Sequence, residues 1–347
     1  MELDNKEAEA TEFHEMTDEE AWAEVQKDIK RRKKIIKIIA VVAAVYLGLF
    51  SVFGVIFSVL TFKRNGASSF VSKQMENMVV TDDNGRKITD TKEREWLHSV
   101  GETVGVTNRE GKTVNTLQVK NTEHSKSYAV LCHPYGVDYY AMSVYAKHYY
   151  EMGFNVVIVE ARGHGESEYS RVTMGWLDRF DVVDVTENIV KQDEKAKIVI
   201  HGVSMGGATA ASVSGEALPK NVFAIIDDCG FESVWQSFSG QLKEYRIPRF
   251  PMLYVASGVT DLMSGWSFKE ASSLEQVKKA AVPMLFLHGE NDSFVHISQS
   301  NNLFMACNSE VKKQVIIENA DHANSVFTDS EKYWNAVDSF ILENFGK

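Results

Sequence analysis

Three side chains are of the types, and in the order, that acyl-transfer chemistry needs: Ser204, Asp292 and His322. Ser204 stands in "IVIHGVSMGGATAAS", where an apolar run gives way to glycines and alanines, with Gly202 and Gly206 flanking it at two-residue spacing. In this G-x-S-x-G arrangement a sharp strand-to-helix turn lifts a hydroxyl above a sheet edge, and only small neighbours let the backbone pass so closely. A serine hydroxyl is a poor nucleophile at neutral pH. It needs a base, and the base needs a carboxylate to hold its tautomer. Among the ten histidines, His322 in "IIENADHANSV" is best placed, in a loop just after the last apolar run. Asp292 in "FLHGENDSFV" follows the preceding run, so the chain order is the one this scheme expects. The oxyanion formed on attack needs backbone N–H donors. Met205, directly after the serine, offers one; Tyr135 in "LCHPYGVDYY" offers the other, since Pro134 has no N–H. Singly, each residue has a plainer use: a glycine-rich turn, a surface histidine, a turn-forming aspartate. Their joint occurrence at successive strand ends favours catalysis.

The elements that must position these residues are legible from periodicity. "KTVNTLQVK" alternates like an exposed strand, and "SYAVLCHP", "FNVVIVE", "AKIVIHG", "NVFAIIDD", "VPMLFLHG" and "KQVIIE" are apolar strand runs. Helices are predicted at "AMSVYAKHYYEMG", at "DVVDVTENIVKQD", after Ser204, and over about 330–345. The alternation predicts a mainly parallel α/β sheet covered on both faces, with the ligand site beyond the carboxyl ends of the strands. The stretch at about 230–280 is too long for a simple connection and reads as a cap. Its aromatic and methionine content (Trp235, Phe238, Tyr245, Phe250, Met252, Tyr254, Met263, Trp266, Phe268) serves mainly its own packing, the remainder lining a pocket for an acyl chain or aromatic ester.

With "LCHPYG", "VVIVEARGHGES", "IHGVSMGG", "PMLFLHGENDSFV" and "NADHANS" in view, residues 110–345 resemble the α/β-hydrolase family. Within it they look like serine esterases and peptidase-like hydrolases with a small cap, including membrane-anchored bacterial members. The resemblance implies an eight-stranded, mostly parallel sheet, the triad Ser204, Asp292 and His322, and no metal or organic cofactor. Pro134 departs from the glycine usual after the oxyanion-loop histidine, and Glu160 stands where an aspartate is common. His164 and Arg162 in that loop read as structural. In related enzymes the carboxylate can also come from the position of Asp228; that residue leads into the cap, and its expected role is to anchor "CGFES" through backbone hydrogen bonds. The family strand order places the strands ending at Cys132 and Cys229 on either side of the serine strand, roughly 9–10 Å apart, too far for a disulfide. Cys307 is likewise expected to be unpaired.

The whole chain has 347 residues, 44% hydrophobic and 24% charged, with a formal net charge of −11. That charge, without a concentrated basic surface on the main domain, argues against nucleic acid as partner. Residues 38–62 carry no charge and are long enough to cross a bilayer as a helix. The expected plan is a cytoplasmic acidic tail with basic flank (1–37), a transmembrane signal anchor (38–62), a juxtamembrane connector (63–109) and the hydrolase domain (110–347). A polar helix is expected from about Asp18, with Thr17 as cap. The basic flank "KDIKRRKKIIK" predicts a cytoplasmic amino terminus and an extracellular catalytic domain. The expectation is a single-pass membrane serine hydrolase acting on a small-molecule ester or acyl substrate through an acyl-enzyme, with ester favoured over peptide hydrolysis. A peptidase, amidase or acyltransferase of the same fold, or a catalytically silent surface binding protein, are the alternatives.

Overall fold

The computed structural model describes residues 16–64, 92–121 and 125–346; the tail before Met16 and most of the expected connector lie outside them. The chain divides into two compact units after Ser51. In the first, helix α1 (Asp18–Thr61) begins on a capping box, with the Glu20 N–H donating to Thr17 Oγ1 and the Thr17 N–H to Glu20 Oε2 at 3.0 Å. The expected polar helix and the expected span are one continuous helix. Beyond the basic run its side chains are apolar and exposed, among them Ile38, Val41, Val42 and Leu49. α1 is the one described helix long and apolar enough to cross a membrane.

The second unit starts with the final turns of α1, residues 52–61. There follow α2 (Lys92–Val100), β1 (Glu102–Thr107), β2 (Thr113–Val119), β3 (Ser127–Cys132), α3 (Ser143–Glu151) and β4 (Asn155–Val159). Next come α4 (Asp178–Gln192), β5 (Lys197–Val203), α5 (Met205–Val213), β6 (Val222–Asp228), α6 (Val234–Glu244), α7 (Met252–Ser264) and α8 (Ser273–Val277). The chain closes with β7 (Met284–Gly289), α9 (Ser298–Ala306), β8 (Lys312–Ile317), α10 (Ser325–Thr328) and α11 (Ser330–Asn344). The eight strands form one sheet in the order β1-β2-β4-β3-β5-β6-β7-β8, with β2 antiparallel to both neighbours and the rest parallel. This is the α/β-hydrolase fold. β1, which falls within the stretch read as connector, joins the sheet through a hairpin in which Asn108 Oδ1 accepts from the N–H groups of Glu110 and Lys112.

The central strands are continuous runs of β-branched and other apolar residues because both sheet faces are covered. One face packs α3 and α11 through Tyr145, Tyr149, Tyr333 and Phe340. The other packs α4, α5 and α9 through Val182, Ala210 and Leu303. A third apolar cluster lies over the carboxyl ends of the strands, where Phe62 meets Trp266 and Phe268 with ring centroids 5.6 and 5.5 Å apart. Phe62, at the end of α1, is wholly buried in it; deleting such a ring costs about 3–5 kcal/mol. All three cysteines are unpaired and buried.

Candidate active site

Ser204 occupies the turn between β5 and α5 with φ 57° and ψ −113°, a strained conformation for a residue with a side chain. Its neighbours explain how the turn closes. A Cβ at Gly202 would strike the Gly206 carbonyl, and one at Gly206 would strike the Cys132 carbonyl on the adjacent strand. The Ser204 N–H donates to the Asp228 carbonyl at 2.8 Å, and its own carbonyl accepts from Ala208, so strain is held from both sides.

The structure brings Ser204, His322 and Asp292 together. Ser204 Oγ lies 2.6 Å from His322 Nε2, and His322 Nδ1 lies 2.7 Å from Asp292 Oδ2. All three are buried. The other oxygen of Asp292 accepts from the N–H groups of Phe294 (2.9 Å) and Val295 (2.7 Å). With Nδ1–H donating to the carboxylate, Nε2 is left to accept the serine proton. Burial alone would raise the Asp292 pKa; the charges and hydrogen bonds of His322 and His288 outweigh it and hold the carboxyl below its ordinary value. The Asp321 side chain accepts from the His322 N–H at 2.8 Å and fixes the loop that carries the imidazole.

His288 was not singled out by sequence reasoning. It is wholly buried, with Nε2 2.8 Å from the Val295 carbonyl and 3.2 Å from Asp292 Oδ2. It therefore meets the same carboxylate oxygen that His322 contacts. The signal was slight, since a histidine inside "MLFLHG" reads as one residue of a buried strand.

The loop of Tyr135 is held from several directions. The Gly136 N–H donates to His164 Nε2 at 2.9 Å, and the Ala161 N–H to His133 Nε2 at 3.0 Å. Both imidazoles must be neutral to accept in this way. Burial, assisted by His164, pushes His133 down to about 3, and burial also lowers His164. Arg162 pairs with buried Asp181 at 2.7 Å and with Glu110 at 2.7 Å, locking the loop in which it lies. The Tyr135 hydroxyl donates to the Thr61 carbonyl at 2.7 Å, which ties this loop to the end of α1. Met205 begins α5, so its N–H precedes the first turn that could bond it.

Asp228 does not anchor the cap entrance as expected. Its Oδ2 accepts from Tyr333 at 2.8 Å, while the backbone bond to Gly230 goes to the preceding residue, Asp227, at 2.9 Å. The side chains of consecutive strand residues point to opposite faces, so Asp228 turns towards α11 and Asp227 towards the cap-leading turn. Cys229, Asp292 and His322 present ligating atoms within 4.8 Å of one another. Burial, then the charges of Asp228 and Asp292, hold the Cys229 thiol well above its ordinary pKa. Asp292 and His322 are engaged with each other at 2.7 Å.

Beside Ser204 opens a cavity of about 480 Å³. Its walls come from the cap (Phe238, Tyr245, Met252) and from residues 53–61 at the end of α1, and no described lining residue is charged. Of the aromatic and methionine residues expected in the cap, Trp266 and Phe268 are buried in packing, whereas Phe250, Tyr254 and Met263 are exposed.

The sequence profile of the prolyl oligopeptidase family matches residues 140–347, more than half of the chain. The chain belongs to the prolyl oligopeptidase family. Among relatives of this oligopeptidase-family chain, the protein YqkD of Bacillus subtilis is 29% identical over 216 residues, 61% of this chain and 70% of that protein. A Saccharomyces cerevisiae protein described as a membrane protein, YNL320W, is 25% identical over 228 residues, 65% of this chain and 74% of its own. In structure, the Pyrococcus furiosus esterase Pf2001 superposes with a TM-score of 0.61 at 17% identity, covering 72% of this chain and 94% of that one. The fold is that of the serine hydrolases.

Proposed function

We propose that this protein is a membrane-anchored serine hydrolase that cleaves carboxylic esters through an acyl-enzyme. The observation that carries the reading is the pair of short bonds from Ser204 Oγ to His322 Nε2 and from His322 Nδ1 to Asp292. Ser204 Oγ attacks the ester carbonyl while its proton passes to His322 Nε2, which then hands it to the departing alkoxide as the acyl C–O bond breaks. A water molecule, deprotonated by the same nitrogen, releases the acid and restores Ser204. Asp292 orients His322 and stabilises its charge, and the N–H groups of Met205 and Tyr135 receive the oxyanion. The apolar cavity supports esters over peptides: a peptide's charges and unpaired amides would meet no charged partner in it. The basic flank of the helix supports a cytoplasmic amino terminus and an extracellular catalytic unit.

The family match favours a second reading, a peptidase acting with the same triad. A panel of esters, thioesters and peptidyl amides, tested on the full chain with Ser204→Ala as control, separates them. Ester turnover that falls by about 10⁴ or more in Ser204→Ala is expected. A Ser204→Ala protein with even a tenth of the parental rate, or turnover confined to amides, refutes the proposal.

A further inference from the structure

We infer that the substrate is a long-chain acyl ester drawn from the bilayer, with its acyl chain seated in the cavity walled by the end of α1. The inference rests on the hydrolase reading above and names the substrate class of the same site.

The geometry carries it in three steps. First, the wall is built in rather than incidental. A Cβ at Gly54 would stand 2.5 Å from the Met252 carbonyl, so α1 and α7 touch backbone to backbone there. Ser58 Oγ and Thr260 Oγ1 bond at 2.8 Å in the same seam, and Thr61 holds the Tyr135 hydroxyl. Second, the cavity fits a chain. Its 480 Å³, at the ~30 Å³ share of a water-sized group, holds roughly sixteen methylene-sized groups, and Ser204 lies in its lining. Third, the surroundings suit a lipid surface. Residues 38–51, at about 1.5 Å rise per residue, span roughly 21 Å, short of the ~30 Å hydrocarbon core. A bilayer crossed by this helix therefore takes in residues 52 to about 57 as well, among them Phe53, Ile56 and Phe57 of the cavity wall. Beside them the exposed cap segment "KEYRIPRF" interleaves Lys243, Arg246 and Arg249 with Tyr245, Ile247 and Phe250, and Leu262 is 88% exposed. Aromatic rings are at home at either membrane–water interface, and long basic side chains beside them reach the headgroup phosphates.

The test uses full-length protein in detergent and a series of aryl esters with acyl chains from two to eighteen carbons. Each seated methylene is worth roughly fourfold in kcat/KM, so the rate constant should climb with chain length until the cavity fills. Ile56 lines the cavity and is half exposed, so substitution there is tolerated. Ile56→Trp should lower the long-to-short ratio at least about tenfold, the loss of two seated methylenes. Ile56→Ala should move the optimum to longer chains. A variant that merely unfolds lowers all lengths together, so opposite shifts from the two variants are diagnostic. A flat series, or two variants moving alike, overturns the inference while fluorophosphonate labelling of Ser204 keeps the hydrolase reading standing. Absence of labelling overturns both. For the source, protein reconstituted in vesicles of palmitoyl-oleoyl phosphatidylglycerol and phosphatidylcholine should release fatty acid from its own bilayer, with Ser204→Ala as blank. Hydrolysis of soluble long-chain esters without such release overturns the bilayer origin.

Discussion

Replacing Asp292 by Asn, and Asp228 by Asn in parallel, separates the two carboxylates at neighbouring strand ends by opposite signatures. In Asp292→Asn the oxygen facing Phe294 and Val295 is kept, but an NH₂ replaces the oxygen that accepts from His322 and His288. His322 then turns Nδ1 into an acceptor and carries its proton on Nε2, pointing at Ser204, where it cannot act as base. The expected loss is about 10⁴ in rate, or roughly 5.5 kcal/mol. Asp228 is different. Burial, against the Tyr333 hydrogen bond and the charges of His288 and His322, pushes its carboxyl up to about 6 from 3.8. The folded state therefore binds more protons than the unfolded one between pH 4 and 6, and stability falls as pH rises through that window. Above it the buried charge weakens the fold by about 3 kcal/mol. Asn does not titrate, so Asp228→Asn should gain on the parent protein as pH rises from 4.5 to 8, less about 1–3 kcal/mol for an NH₂ at Oδ1, which has no partner. Thermal midpoints at the two pH values, together with the second-order rate of fluorophosphonate labelling, measure both effects. A labelling rate that collapses in Asp228→Asn and survives in Asp292→Asn, with both proteins folded, would move the acid and refute this account.

Gly206→Ala should yield protein that neither folds normally nor labels, because its Cβ meets backbone atoms of Cys132 and His133 rather than a side chain that could swing away; a labelled, stable variant would show that the turn relaxes. Gly54→Val should destabilise by about 1–3 kcal/mol, read as a lower thermal midpoint, whereas Val at Gly48, which has nothing within 4 Å, serves as control. Equal effects at both positions would mean that the contact with α7 is dispensable. Protease added to intact cells should degrade the catalytic unit and spare the amino-terminal tail, and the reverse pattern would invert the proposed orientation.

The grouping of Ser204, Asp292 and His322 was legible because each lies in a short loop directly after an apolar strand, where local text and long-range position coincide. The parallel sheet was legible for the same reason: buried β-branched runs such as "NVVIV" admit few other folds. β1 escaped because only Val104 and Val106 mark its apolar face, too short an alternation to stand out, and Val106 alone is buried. Asp227 and Asp228 were exchanged in role because a one-residue offset on a strand reverses the face, and "DD" carries no register of its own. The wall formed by residues 53–61 was invisible for a deeper reason. Hydropathy scores a side chain's aversion to water and does not record whether lipid or a cavity replaces the water.

That double use of one helix constrains how the chain can change. A span that only holds a protein in place tolerates any exchange of one apolar residue for another of similar hydropathy. Here Ile56 and Leu60 are read twice, once by whatever solvates the helix and once by the chamber beside Ser204. A graft of another protein's anchor onto residue 62 would keep the address and replace five of the nineteen residues that line the chamber. Shedding by a cut just beyond Arg64 would likewise strip the chamber of its wall and leave Trp266 and Phe268 bare. Release from the anchor would then switch such an enzyme off rather than set it free.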